Sequence, residues 1–85
     1  MNILTPLEIP LGGQFKIGNL LATVVSIQNP TKFTLEIQKG LREQYQITAA
    51  APVAVTSVVT VQARLGGRGF CSLVVDAPES IKIGR

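Results

Sequence analysis

Apolar and polar residues alternate along most of this chain. The period is two, the spacing that puts successive side chains on opposite faces of a β-strand. Leu7, Ile9 and Leu11 alternate with Glu8 and Pro10. Phe15 and Ile17 alternate with Gln14 and Lys16, and the odd-numbered register runs on through Leu21, Thr23, Val25 and Ile27. The cleanest stretch sets Phe33, Leu35 and Ile37 against Lys32, Thr34, Glu36 and Gln38, a strand with one wet face. Asn29-Pro30 between these stretches suits the start of a turn, so 20–28 and 32–38 read as a hairpin.

The second half repeats the theme. Tyr45 and Ile47 alternate with Gln44, Gln46 and Thr48. Val53, Val55, Ser57, Val59, Val61, Ala63 and Leu65 share one register, which predicts a single long strand with Thr56, Thr60, Gln62 and Arg64 opposite. The glycine-rich run Leu65–Phe70 closes a second hairpin onto Cys71, Leu73 and Val75, and Asp76-Ala77-Pro78 ends it. Ile81 and Ile83 alternate with Ser80, Lys82 and Gly84. Lys39–Tyr45 is the sole helix candidate; with Gly40 inside it, a loop or one helical turn is expected. The hairpins 20–38 and 58–75 are loosely alike, short of an internal repeat. The sum is a single domain, 1–85, of about six to eight short strands: an all-β, small antiparallel β-sandwich or barrel.

Composition supports this. Of the 85 residues, nine are Val, eight Ile and seven Thr, the β-branched types that favour strands. Hydrophobic residues reach 46% and charged ones only 15%, which excludes intrinsic disorder. No apolar run approaches the roughly 20 residues of a membrane-spanning helix. The chain has no His and one Cys, so neither a zinc site nor a His-dependent catalytic constellation can be assembled. No enzyme, metal or cofactor is therefore expected. The start, Met-Asn-Ile-Leu-Thr-Pro, lacks the basic and apolar regions of a signal peptide, which points to a cytoplasm or a virion.

Candidate contact residues come from the outward register. Leu20, Ala22, Val24, Val58 and Val74 fall opposite the apolar set on the same strands. Either a bulge swaps their register or a neighbouring subunit covers them. The second option predicts a homo-oligomer, trimer or larger. Arg64 and Arg68 bracket Gly66-Gly67 with Phe70 just after, a set able to hold an acidic surface or a phosphate, or simply to tip a turn. The net charge of +3 is a weak field and argues against a nucleic-acid partner. Cys71 reads as core, and Asp76 and Glu79 as turn residues. The leading expectation is a non-enzymatic bacteriophage virion subunit of the capsid decoration or cement type. Its apolar outward positions would join subunits, and Arg64, Arg68 and Lys82 would meet an acidic capsid shell protein. A generic edge-docking module is a further option.

A different reading comes from the two ends. Met1-Asn2-Ile3-Leu4-Thr5, Ile17-Gly18, Val59-Thr60-Val61 and the run Val75–Arg85 resemble, in that order, the carbon storage regulators, small RNA-binding β proteins of bacteria. The resemblance implies an intertwined dimer in which Leu4 and Arg85 line an RNA-binding face. The chain departs from that pattern at Pro6, where the family has arginine, and at Gly84, where it has histidine. It also lacks the family's C-terminal helix, and residues 19–57 stand as an insertion.

Overall fold

The alternating segments do form strands. The computed structural model describes residues 1–84, and among them are nine strands and no helix. In chain order they are β1 (Asn2–Pro10), β2 (Gln14–Ile17), β3 (Leu20–Asn29), β4 (Lys32–Lys39), β5 (Leu41–Thr48), β6 (Val53–Ala54), β7 (Thr60–Gly67), β8 (Phe70–Pro78) and β9 (Ile83–Gly84). They make two antiparallel sheets. The first has the order β1-β8-β7-β6, the second β5-β4-β3-β2-β9. Their inner faces share one core. Ile9, Val61, Cys71, Leu73 and Val75 come from the first sheet, and Phe15, Val24, Phe33, Leu35, Ile37 and Ile47 from the second. Each large side chain buried there contributes about 1.5–3 kcal/mol.

The structure corrects the sequence reading at four places. The odd register does not run through β3. The two-residue turn Gly18-Asn19, with Gly18 at φ +60, resets it so that Leu20, Ala22 and Val24 face the core. A bulge between Val24 and Ser26 then pushes Val25 outward and returns Ile27 to the inner face. The expected long strand 53–65 is two strands, because a turn after Val55 folds β7 back onto β6 with Val53 opposite Val61. Thr56 Oγ1 caps that turn by accepting from the amides of Val58 and Val59. A bulge between Arg64 and Gly67 throws Leu65 out to 77% exposure. Residues 39–45 form neither a loop nor a helical turn: Gly40, at φ +74, reverses the chain and β5 pairs along the whole of β4.

The strand order also reveals an internal repeat that the sequence hides. Moving four strands along the chain turns β1, β2, β3 and β4 into β5, β6, β7 and β8, and it turns one sheet into the other. The pairing registers repeat with it. Ile9 lies opposite Cys71 and Ile47 opposite Phe33; Leu7 lies opposite Leu73 and Tyr45 opposite Leu35. Members of each equivalent pair (Ile9 and Ile47, Leu35 and Leu73) are 38 positions apart. Even an isolated bond repeats: the Leu11 amide donates to the Gly69 carbonyl at 2.9 Å, and the Ala49 amide to the Thr31 carbonyl at 3.1 Å. In β3 and β7 the spacing is 39 (Ala22 and Val61, Val24 and Ala63), since the β6–β7 turn has one more residue than the β2–β3 turn. The repeats are intertwined. β1 of the first joins the sheet of the second, and β5 of the second joins the sheet of the first. Among the described residues, β9 is the one strand without a counterpart.

Candidate functional site on the open side of the sandwich

The repeat makes the two sides of the sandwich comparable, and they differ. On the β5–β6 side the sheets are tied together. The Tyr45 hydroxyl accepts from Lys39 Nζ at 2.8 Å and lies 2.7 Å from Glu43 Oε2 and 3.3 Å from the Val55 carbonyl oxygen. Gln62 Nε2 donates to the Ala49 carbonyl at 3.0 Å. Lys39 and Glu43 also pair at 3.1 Å. The Tyr45 hydrogen bond is the main reason the Lys39 pKa is raised and the Glu43 pKa lowered.

The other side is open. β1 is the edge of its sheet and pairs only with β8; β9 is the edge of the other sheet and pairs only with β2. Between them lies a cleft of about 260 Å³ lined by Ile3, Thr5, Ala77, Glu79, Ile81, Lys82 and Ile83. Among the described residues no hydrogen bond joins β1 to β9. Pro6 and Pro10 on this edge strand lack amide protons, a common guard against edge-to-edge pairing.

β1 is also one wall of a second hollow. Leu4, 64% exposed, points to the outer face of the first sheet, into a trough of about 340 Å³ shared with Pro52, Thr60, Gln62, Arg64, Val74 and Asp76. The pairing explains the grouping, since Asp76 sits between Leu4 on β1 and Thr60 on β7 in the outward register. Asp76 Oδ1 is sealed from solvent and accepts no hydrogen bond. β1 is thus a ridge with a hollow on each flank.

The residues singled out in the sequence separate into groups. Leu4, Arg64 and Val74 meet in the trough. Lys82 stands at the cleft, and its carbonyl accepts from the Gly18 amide at 2.7 Å. Leu20 and Lys82 also share a hollow with Thr56 and Val59. Arg68 and Phe70 sit at the β7–β8 turn, where the Phe70 ring lies against Gly67 and leaves no room for a Cβ. Val58 is exposed in the β6–β7 turn. Val24 cannot be a surface contact: it is 0% exposed, as is Ala22, and Leu20 packs against the core, all through the reset register of β3. Arg85 lies outside the described residues. Asp76, expected in a turn, lies within β8; its outward register beside Thr60 and Leu4 is visible only once β1, β7 and β8 are paired.

Elsewhere the chemistry is quiet. Cys71 is buried, and desolvation pushes its pKa up to about 11, the opposite of a reactive thiolate. No group of metal-ligating side chains occurs among the described residues, and no helix there is long and apolar enough to cross a membrane. The chain matches no protein-family model, no curated protein and no solved structure.

Proposed function

We propose that the protein is a non-enzymatic binder of single-stranded RNA, engaging it across the β1 ridge between trough and cleft. One observation carries this reading. The first and last of the segments that resemble the carbon storage regulators, Met1–Thr5 and the run from Val75, lie at opposite ends of the chain, and the fold brings them to facing edges of one opening. The intertwined repeat supports it as well. The resemblance implies an intertwined dimer, and here one chain supplies both interlocked halves. What read as an insertion holds β3–β6, the last two strands of one half and the first two of the other.

The chemistry of the ridge suits a polynucleotide. Leu4 and Val74 offer an apolar surface to a base. Asp76 lines the trough, where a carboxylate can accept from a base amino group or a ribose hydroxyl. Arg64 and Lys82 stand on the two flanks to take phosphates. The reading as a virion subunit loses part of its support, since Ala22 and Val24 lie in the core, while Val58 stays exposed and Val74 lines the trough.

The test is fluorescence anisotropy with a labelled randomised RNA library and with the corresponding single-stranded DNA. RNA should bind more tightly than DNA. Two phosphate contacts give a log–log salt slope of about −1.4, since each single-strand contact contributes about −0.7. Leu4→Ala, Lys82→Ala and Arg85→Ala should each weaken binding. Absence of binding at low salt, or unchanged affinity in all three variants, overturns the proposal.

A further inference from the structure

We infer that the chain is a fused pair that works as a monomer and takes one RNA strand, on the β1–β9 side alone. The inference rests on the RNA-binding reading and adds to it the number and place of the sites. A true two-fold assembly would present two equivalent openings. This chain presents one, for three independent reasons.

The first is topological. β9 extends the second sheet beside β2, and nothing extends the first sheet beside β6, its counterpart. An opening flanked by a ninth-strand edge therefore exists once. The second is the closure of the opposite side: Tyr45 to Val55 and Gln62 to Ala49 bridge the sheets there. Tyr45 corresponds through the repeat to Leu7, whose side chain has no hydroxyl to donate to a backbone carbonyl, so among the described residues the open side has no equivalent clasp.

The third reason is chemical. The outward row formed by Leu4, Asp76 and Thr60 corresponds to Arg42, Gln38 and Leu21 on the second sheet. Val74 corresponds to Glu36. An acidic side chain thus replaces an apolar one where the base would lie, and Gln38 stands where the first sheet has the Asp76 carboxylate. The second face is polar and internally bonded instead: Gln28 and Gln46 donate to Thr34 Oγ1 at 3.0 and 3.1 Å, and Gln14 to Thr23 Oγ1 at 3.2 Å. Monomeric behaviour follows from the interlock. Each repeat already has its partner strand within the chain, so no second copy is needed to complete either sheet.

The experiment has two arms. Sedimentation velocity of the protein alone, at micromolar concentration, should give a single species at the monomer mass of 9.0 kDa. Titration with an RNA selected from the randomised library, read by native mass spectrometry, should then saturate at one RNA per chain. Leu4→Ala should lower that affinity at least fivefold, by analogy with the roughly 1–3 kcal/mol lost on truncating a base-stacking side chain. Arg42→Ala, its counterpart through the repeat, should change it less than twofold. A stable dimer, two RNAs per chain, or equal losses in the two variants overturns this inference and leaves RNA binding intact. A monomer that binds no RNA overturns the function itself and the single site with it.

Discussion

Two substitutions test whether the repeats form one core. Leu35 on β4 and Leu73 on β8 are equivalent through the repeat, and each lies on a strand flanked on both sides within its sheet. Both are 0% exposed. Truncating such a leucine to alanine removes its transfer free energy and leaves a cavity, a loss of about 3–5 kcal/mol. A domain of 85 residues has a total stability of about 4–13 kcal/mol at 0.05–0.15 kcal/mol per residue. Either change should therefore remove about a quarter of it or more and lower Tm by at least 12 °C or so, at about 4–8 °C per kcal/mol. Because β1 and β5 are exchanged between the sheets, neither sheet is complete without strands from both repeats. Leu35→Ala and Leu73→Ala should thus each destabilise the whole molecule, by amounts within about 2 kcal/mol of each other. Urea unfolding followed by far-ultraviolet circular dichroism and by one-dimensional NMR of the methyl region measures this. Coincident single transitions are expected in both variants. Two separated transitions, or a loss under 1 kcal/mol in one variant only, would refute the shared core.

Two further predictions come from single residues. Gly66→Ala should destabilise by about 1–3 kcal/mol in chemical denaturation, by overpacking. A Cβ there would lie 2.9 Å from the Phe70 carbonyl oxygen and 3.2 Å from Cys71 Cα. The β7 bulge has to stay tight at this point because the Gly66 amide donates to Pro30 at 2.8 Å. Cys71 should resist thiol reagents at pH 8 in the native state and react promptly in urea. Its folded pKa of about 11 lies above the ordinary 9.0, so the native state holds its proton more tightly than the unfolded chain does. The resulting stability is fully present below pH 9 and falls as the pH rises toward 11, a loss that Cys71→Ser should lack.

The sequence by itself determined most of the strands and the inward faces of β2, β4, β7 and β8, because a period of two is a local property that needs no partner to be read. It placed Phe33, Leu35 and Ile37 inward, Cys71 in the core, and a hairpin at Asn29-Pro30, as found. Alternation, however, reports direction and not pairing. A two-residue turn at Gly18-Asn19 and a single bulged residue, Val25, were enough to invert the inward set of β3 and bury Val24. One register from Val53 to Leu65 reads the same whether the chain runs on or folds back at Thr56, since a three-residue connection preserves parity. The repeat escaped notice because its members match in position more than in identity: Phe33 answers to Cys71, Phe15 to Val53, Val24 to Ala63. A core demands apolar volume at a place, and many residues meet that demand. The candidate site was legible only in fragments, as Leu4 at one end and Lys82 near the other. Only the placement of β1 and β9 at the edges of different sheets set those fragments facing each other. Only the pairing of β1, β8 and β7 put Asp76 between Leu4 and Thr60 with an oxygen left unsatisfied.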